Sequence, residues 1–151
     1  MIIGHELCGS MMETLISRIF DLNVSNGSKL SRLRRTRLQR TKGMGGGEFF
    51  TYRVATSGRL LCDTFLTCKE LVRESTYTLT KLTESILKSQ RSDQSPDEIE
   101  FAFLNCPLME KLCTVNEKDA WYTIELVMHL LVIPLTKTLT NIAGNLWYRS
   151  L

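Results

Sequence analysis

The chain has 151 residues, of which 43% are hydrophobic and 23% are charged. This composition excludes a disordered chain, and the length predicts one folded domain. The net charge is +3, from 19 basic and 16 acidic residues. Seven of the basic residues lie within residues 29–42 (KLSRLRRTRLQRTK), so the rest of the chain is mildly acidic.

The first 28 residues are predicted to form an amphipathic helix followed by a turn. Apolar residues recur at spacings of three and four between residues 6 and 22, which places them on one helical face. The polar segment 23–28 (NVSNGS) contains Asn-Gly, a pair that is typical of turns. We therefore expect the helix to end near residue 22.

Residues 29–42, called the basic segment below, are the most informative part of the sequence. Its cations are Lys29, Arg32, Arg34, Arg35, Arg37, Arg40 and Lys42, and no acidic residue lies between Asp21 and Glu48. Unpaired cations are not buried, so the segment is expected to be exposed. Its partner is expected to be nucleic acid, an anionic membrane surface, an acidic protein patch or an import receptor. The plain alternative is a solvated surface without a partner.

The glycine-rich residues 43–47 (GMGGG) are expected to form a flexible hinge, so that residues 29–47 connect to a helical region at 48–151. They do not form a phosphate-binding loop, because that motif places a lysine after its last glycine and here Lys42 precedes the run. The dinucleotide-binding fingerprint fails at Glu48, where a glycine is required. Residues 48–55 alternate in polarity and are consistent with a short strand that lacks an evident partner.

A heptad pattern predicts one long helix over residues 61–86. Its apolar positions step by four and three residues, at Leu61, Phe65, Cys68, Val72, Ser75, Leu79, Leu82 and Ile86. Such a seam is typical of a bundle helix or a coiled coil, and it also predicts self-association. The threonine-rich residues 76–80 weaken this interpretation, because β-branched side chains lose rotamer freedom in helices.

The C-terminal third carries clear helix boundaries. Ser95, Pro96 and Glu98 form a capping box with proline at the first helical position. Pro107 predicts a break, and Thr114 with Glu117 resembles a second capping box that would begin a helix ending near residue 133. A last helix is expected over residues 135–146. The fold class predicted from these signals is all-α, a bundle of five or six helices.

The sequence offers weak signals for chemistry. His5-x-x-Cys8 has a spacing that is typical of zinc ligands, but no Cys-x-x-Cys pair accompanies it. Glu125 and His129 lie one helical turn apart, as a base or metal pair would, although a helix-surface hydrogen bond explains them equally well. We predict no catalytic residues, no metal and no cofactor. All five cysteines fall on apolar helical stripes and are expected to be reduced and packed, which favours the cytoplasm or nucleus. Their positions are Cys8, Cys62, Cys68, Cys106 and Cys113.

A membrane span is not expected. The charge-free stretch at residues 126–136 has eleven residues, against the roughly twenty that a spanning helix needs.

Two parts of the chain resemble the C-type accessory proteins of paramyxoviruses. They are residues 69–79 (KELVRESTYTL) and the pairs Ala120-Trp121, Ile133-Pro134 and Leu146-Trp147. The resemblance implies a non-enzymatic viral protein that antagonises host innate immunity. The sequence is therefore interpreted as a non-enzymatic helical interaction protein with a protein partner. The alternative is a sequence-nonspecific RNA- or DNA-binding protein whose basic segment contacts phosphates.

Overall fold

The computed structural model describes residues 1–24, 27–33, 40–42, 48–50 and 55–147. The strands are β1 Ile2–Gly4, β2 Arg40–Lys42, β3 Glu48–Phe50 and β4 Leu61–Asp63. The α-helices are α1 Met12–Asp21, α2 Thr64–Leu71, α3 Leu79–Leu82, α4 Pro96–Leu104, α5 Cys106–His129 and α6 Val132–Ala143. Short π-helical turns occupy Leu7–Met11 and Thr83–Leu87, and a 3-10 turn occupies Gly27–Leu30. The prediction of a mostly helical chain is confirmed.

The N-terminal residues are joined to the middle of the chain by a two-stranded parallel sheet. β1 pairs with β4 so that Ile2, Ile3 and Gly4 lie opposite Leu61, Cys62 and Asp63. Behind this sheet a small core buries Leu7, Met12, Ile16 and Ala55. The predicted amphipathic helix is thus confirmed as a π-helical turn followed by α1.

The long heptad helix predicted over residues 61–86 is wrong. Leu61 begins strand β4, and the Asp63 side chain caps a short helix, α2, by accepting a hydrogen bond from the Phe65 amide. At Val72 the backbone is extended (φ −121°, ψ 141°), and helix returns at Leu79 after Thr78 acts as its N-cap. The threonines favour caps and extended backbone here, because their hydroxyls bond the main chain. Self-association through this seam thus loses its structural basis.

Some of the seam residues are nevertheless buried, around α5 and not along a coiled coil. Cys68 and Leu82 form one cluster with Leu126 of α5, which is fully buried. A second cluster joins Cys62 of β4 to Val127 and Val132. The helix α5 therefore carries the buried surface that holds β4, α2 and α3 together.

The Ser95 capping box is confirmed in full. The Ser95 hydroxyl accepts from the Glu98 amide at 3.3 Å, and the Glu98 carboxylate accepts from the Ser95 amide at 2.9 Å. Helix α4 ends at Leu104, and Pro107 lies in the first turn of α5, where its missing N–H costs little.

The second predicted capping box is wrong. Thr114 lies inside α5, which runs unbroken from Cys106 to His129, and its hydroxyl donates to the Glu110 carbonyl at 2.9 Å. A threonine within a helix can bond the preceding turn in this way and need not start a new one. The box-like spacing to Glu117 has therefore no capping role.

The break near the C-terminus lies a few residues before Pro134. Leu131 adopts a left-handed conformation (φ 50°) between α5 and α6, and Pro134 falls in the first turn of α6. Among the described residues no single helix is long and apolar enough to cross a membrane. The α5–α6 pair reaches that length and composition together, but it bends by 47°.

Helix α6 has an unusual distribution of side chains. It buries Val132, Thr136 and Thr140, while Leu139 and Ile142 are 53% and 79% exposed. The buried hydroxyls are satisfied because Thr136 donates to the Val132 carbonyl and Thr140 to the Thr136 carbonyl, at 2.8 and 2.6 Å. The helix therefore presents its most apolar stripe away from the core of the described chain.

Candidate nucleic-acid interface

The basic segment begins at a well-anchored root, residues 29–33. The Ser31 side chain is buried, and its hydroxyl donates to the Ser57 carbonyl at 3.1 Å and accepts from the Leu33 amide at 2.9 Å. The Arg32 amide donates to the same Ser57 carbonyl at 3.0 Å. These bonds fix the backbone from which Lys29 and Arg32, both exposed, project.

Arg59 fastens the root from the other side. Its Nε donates to the Leu30 carbonyl at 2.6 Å, and its Nη2 donates to the Lys29 carbonyl at 3.2 Å. The planar guanidinium suits this two-carbonyl contact, which a lysine ammonium does not reproduce. Arg59 was not among the residues predicted from sequence, because it lies outside the cation run. The one sequence signal was the turn chemistry of the preceding Ser57-Gly58.

Gly58 lets the turn lie close to the root. Its φ is +77°, a backbone conformation that favours glycine. A Cβ added at this position would lie 3.1 Å from the Arg32 Cβ. The glycine is therefore required both by its backbone conformation and by the close approach of Arg32.

The far end of the basic segment is part of a strand pair. Residues 40–42 form β2, which runs antiparallel to β3, with Arg40 opposite Phe50 and Lys42 opposite Glu48. Strand β3 in turn contacts α1. Of the strand predicted over residues 48–55, residues 48–50 are a strand whose partner is the end of the basic segment, and residues 51–54 lie outside the described residues. Three predicted site residues, Arg34, Arg35 and Arg37, lie outside the described residues, as do the glycine-rich residues 43–47.

A separate polar cluster lies where β1 meets β4. Asp63 is buried, and its two carboxylate oxygens accept from the Cys8 amide at 2.7 Å and the Phe65 amide at 3.0 Å. The Thr64 hydroxyl donates to the Gly4 carbonyl at 3.2 Å and lies 2.9 Å from His5 Nδ1. The Thr64 hydroxyl has one proton, so it donates either to the Gly4 carbonyl or to His5 Nδ1, and the tautomer of His5 decides which.

The environment of His5 favours its neutral form. Burial lowers the pKa of His5 below its usual value, although the Glu6 and Asp63 carboxylates act in the opposite direction. The His5 ring also packs edge-on against Phe65, with ring centroids 5.9 Å apart. The cluster thus joins the N-terminal strand to α2, with its carboxylate committed to backbone amides.

The cysteines divide into two groups. Cys62 and Cys68 are buried, and burial raises the pKa of both thiols, that of Cys68 to about 11. Cys106 and Cys113 are exposed, so the prediction that they pack in the core is wrong. In the part of the chain that the structure describes, no group of three or more His, Cys, Asp or Glu side chains is placed to hold a metal ion. Glu125 and His129 both lie on the exposed side of α5.

No protein-family model matches the chain. The chain is 43% identical to the DNA polymerase alpha catalytic subunit of Oxytricha trifallax, in an alignment that covers all of this chain and 10% of that relative. The corresponding subunits of Oryza sativa subsp. japonica and Mus musculus are 40% and 33% identical over 99% of the chain, again 10% of each relative. The chain therefore spans about a tenth of the length of the curated relatives it matches.

These similarities correct three predictions. The resemblance to paramyxoviral accessory proteins is wrong, because the similarity to the polymerase subunits runs over the whole chain. The interpretation as a viral antagonist of innate immunity is wrong for the same reason. The prediction of a non-enzymatic protein is also wrong, since the relatives are catalytic subunits of a DNA polymerase. The resemblance was based on one short segment and on residue pairs that are common in proteins.

Proposed function

We propose that this chain is a segment of a DNA polymerase catalytic subunit, and that its basic segment binds the phosphate backbone of the polymerase's nucleic acid. The observation that carries the first part is the 43% identity over the whole chain with such a subunit. The relatives come from a ciliate, a plant and an animal, whose chromosomal DNA is nuclear. We therefore propose the nucleus as the place where the protein acts.

The chemistry of the basic segment supports the second part. No acidic residue lies within the run, and five of its seven cations are arginines, whose planar guanidinium binds phosphate oxygens in pairs. Phosphate contacts position a protein on nucleic acid without reading its sequence. A polymerase must hold templates of every sequence, so such contacts suit its task.

The anchored root supports the same proposal. Hydrogen bonds from Ser31, Arg32 and Arg59 fix the backbone at residues 29–33 before any ligand arrives. Binding then costs less conformational entropy than it does for a free arm. On this account Arg59 is a positioning residue, because its guanidinium is occupied by the Lys29 and Leu30 carbonyls.

The proposal is tested by fluorescence anisotropy with labelled single-stranded and duplex DNA. The variant Arg34→Gln/Arg35→Gln/Arg37→Gln removes three cations from the basic segment. The matched control, Lys69→Gln/Arg73→Gln/Lys118→Gln, removes three exposed cations from elsewhere. We expect the first variant to bind about tenfold or more weakly on DNA of any sequence, and the control to bind almost as the wild type does.

Two results would contradict the proposal. One is equal DNA affinity for both triple variants. The other is normal DNA binding with loss of nuclear entry, which would identify the basic segment as an import signal. Arg59→Lys tests the anchoring role, because it keeps the charge but loses the two-carbonyl contact. It should lower DNA affinity, and the melting temperature of the folded chain should fall with it.

A further inference from the structure

A cleft lies between the loop at residues 92–94 and the helices α4 and α5. In contrast to the basic segment, its lining is mainly apolar and acidic. Its volume is about 480 Å³. Ala102, Leu108 and Leu112 line its floor, and Ala102 and Leu112 are buried. Phe101 stands at its edge, 63% exposed. The floor is therefore apolar, and Leu108 is its exposed residue.

Ion pairs and a helix cap hold the loop wall of this cleft in place. The Arg91 guanidinium donates through Nε and Nη2 to the two carboxylate oxygens of Asp119 on α5, both at 2.7 Å. The same side chain pairs with Asp93, and the Ser95 capping box fixes the end of the loop. A wall that is fixed in advance lowers the entropic cost of binding a partner.

The rim of the cleft carries more acidic than basic groups. Asp93, Asp97 and Glu98 line it, against Lys111. The Asp93 carboxylate is engaged with Arg91, and that of Glu98 caps the Ser95 amide. Asp97 thus offers the rim charge most available to a ligand. An acidic rim repels phosphates, so this cleft is unsuited to nucleic acid.

Helix α4, which lines part of the cleft, exposes an unusual amount of apolar surface. Within this fully described helix, Ala102 is the one buried residue, while Phe103 and Leu104 are 68% and 77% exposed. Contiguous exposed apolar surface that is rimmed by polar groups marks protein interaction sites. An apolar floor next to an acidic rim favours a ligand that is apolar on one side and basic on the other.

We propose that this cleft binds a basic, leucine-containing peptide segment of a partner protein. A leucine side chain would lie on the floor formed by Leu108 and Leu112, and an adjacent arginine or lysine would face Asp97. The charge of the rim argues for this occupant over an acidic or a neutral peptide. No residue of the basic segment lines the cleft, so this proposal and the nucleic-acid proposal rest on different residues.

The test uses a fluorescein-labelled peptide of four Leu-Arg-Lys repeats as the probe. Control peptides carry Ser in place of Leu, or Asp and Glu in place of Arg and Lys. We expect saturable binding of the first peptide by the full chain, and at least about tenfold weaker binding of either control. Binding should weaken with added salt, because the rim contacts are exposed.

Protein variants locate the site. Asp97→Lys and Phe101→Ser should each weaken binding about tenfold, while the matched changes Glu117→Lys and Ile142→Ser, exposed and outside the cleft, should not. Thermal melting checks that each variant is folded. Loss of binding in the two control variants as well, or no difference between Asp97→Lys and Glu117→Lys, would overturn the proposal. Self-association that Phe101→Ser abolishes would also overturn it, because the occupant would then be a second copy of the chain. DNA binding is measured in parallel, so this proposal and the proposed function can fail separately.

Discussion

Replacing Arg91 tests how the loop at residues 88–95 is held against α5. Arg91 and Asp119 have side chains that are 18% and 21% exposed, and their contact is bidentate, at 2.7 Å for both hydrogen bonds. Arg91 Nη1 also donates to the Thr80 hydroxyl at 2.6 Å. The Asp119 carboxylate raises the pKa of Arg91 further, so the guanidinium stays charged.

The expected cost of Arg91→Ala is about 2 kcal/mol of unfolding free energy. An exposed ion pair contributes roughly 0–1 kcal/mol, and removing one partner of a buried pair costs roughly 3–5 kcal/mol. The Arg91 contact lies between these limits, because water can rehydrate part of Asp119 once the arginine is gone. The matched control is Lys81→Ala. It breaks an exposed pair with Glu84 at 3.5 Å and should cost less than about 0.5 kcal/mol.

The assay is urea denaturation of Arg91→Ala, Asp119→Ala and the double variant, combined in a double-mutant cycle. We expect a coupling free energy of about 1–2 kcal/mol between the two positions. Two results would refute the claim that this ion pair holds the loop against α5. One is purely additive effects of the two substitutions, and the other is a loss of stability for Arg91→Ala no larger than that for Lys81→Ala.

Three further predictions concern His5, Gly58 and the thiols. Burial lowers the pKa of His5 in the folded chain below that of an unfolded histidine, which is about 6.5. The free energy of unfolding should therefore decrease as the pH falls below about 6.5, because the folded state resists protonation of His5. Urea denaturation of the wild type and His5→Asn should show this loss in the wild type alone. Gly58→Ala should destabilise the fold by about 1–2 kcal/mol, and more than Gly144→Ala, because both glycines have positive φ but only Gly58 would place its Cβ against Arg32, within the described chain. Equal losses would show that this contact is unimportant. In the native chain Cys106 and Cys113 should be alkylated quickly and Cys62 and Cys68 slowly, since Cys62 and Cys68 are buried and have raised pKa values. Mass spectrometry after brief treatment with iodoacetamide measures the four reactions. Equal alkylation of all four thiols would contradict the prediction.

Local signals in the sequence predicted local structure well. The Ser95 capping box and the apolar stripe of α1 each depend on residues within one or two helical turns, and both are present in the fold. The break at Pro107 follows from the chemistry of a single residue. Local signals were not always sufficient, because the capping-box spacing of Thr114 and Glu117 lies inside α5.

Predictions failed where the structure depends on contacts between residues that are far apart in the chain. Residues 61–63 fit a helical pattern in isolation, yet they pair with β1 almost sixty residues earlier in the chain. Helix α6 buries threonines and exposes leucines, which reverses the usual rule for an amphipathic helix. Neither feature has a local signature, because each is decided by what the element packs against.

The candidate interface was predictable only in part. The cations of the basic segment are visible in the sequence, and their role as a binding site stays a prediction. What the sequence did not indicate is that Arg59, Ser57 and Gly58 hold the root of that segment. A turn of four residues, distant in sequence from the basic segment, holds residues 29–33 in place. Only the hydrogen bonds in the structure reveal this role.

Phosphate binding by the basic segment is tested most directly by the salt dependence of DNA binding, measured for the wild type and the Arg34→Gln/Arg35→Gln/Arg37→Gln variant. If all seven cations contact phosphates, the slope of log affinity against log salt should approach roughly −6 on duplex DNA and roughly −5 on single strands. The triple variant should reduce the steepness on duplex DNA by about three. An unchanged slope in the variant, with the protein still folded, would contradict the claim that the basic segment binds nucleic-acid phosphates.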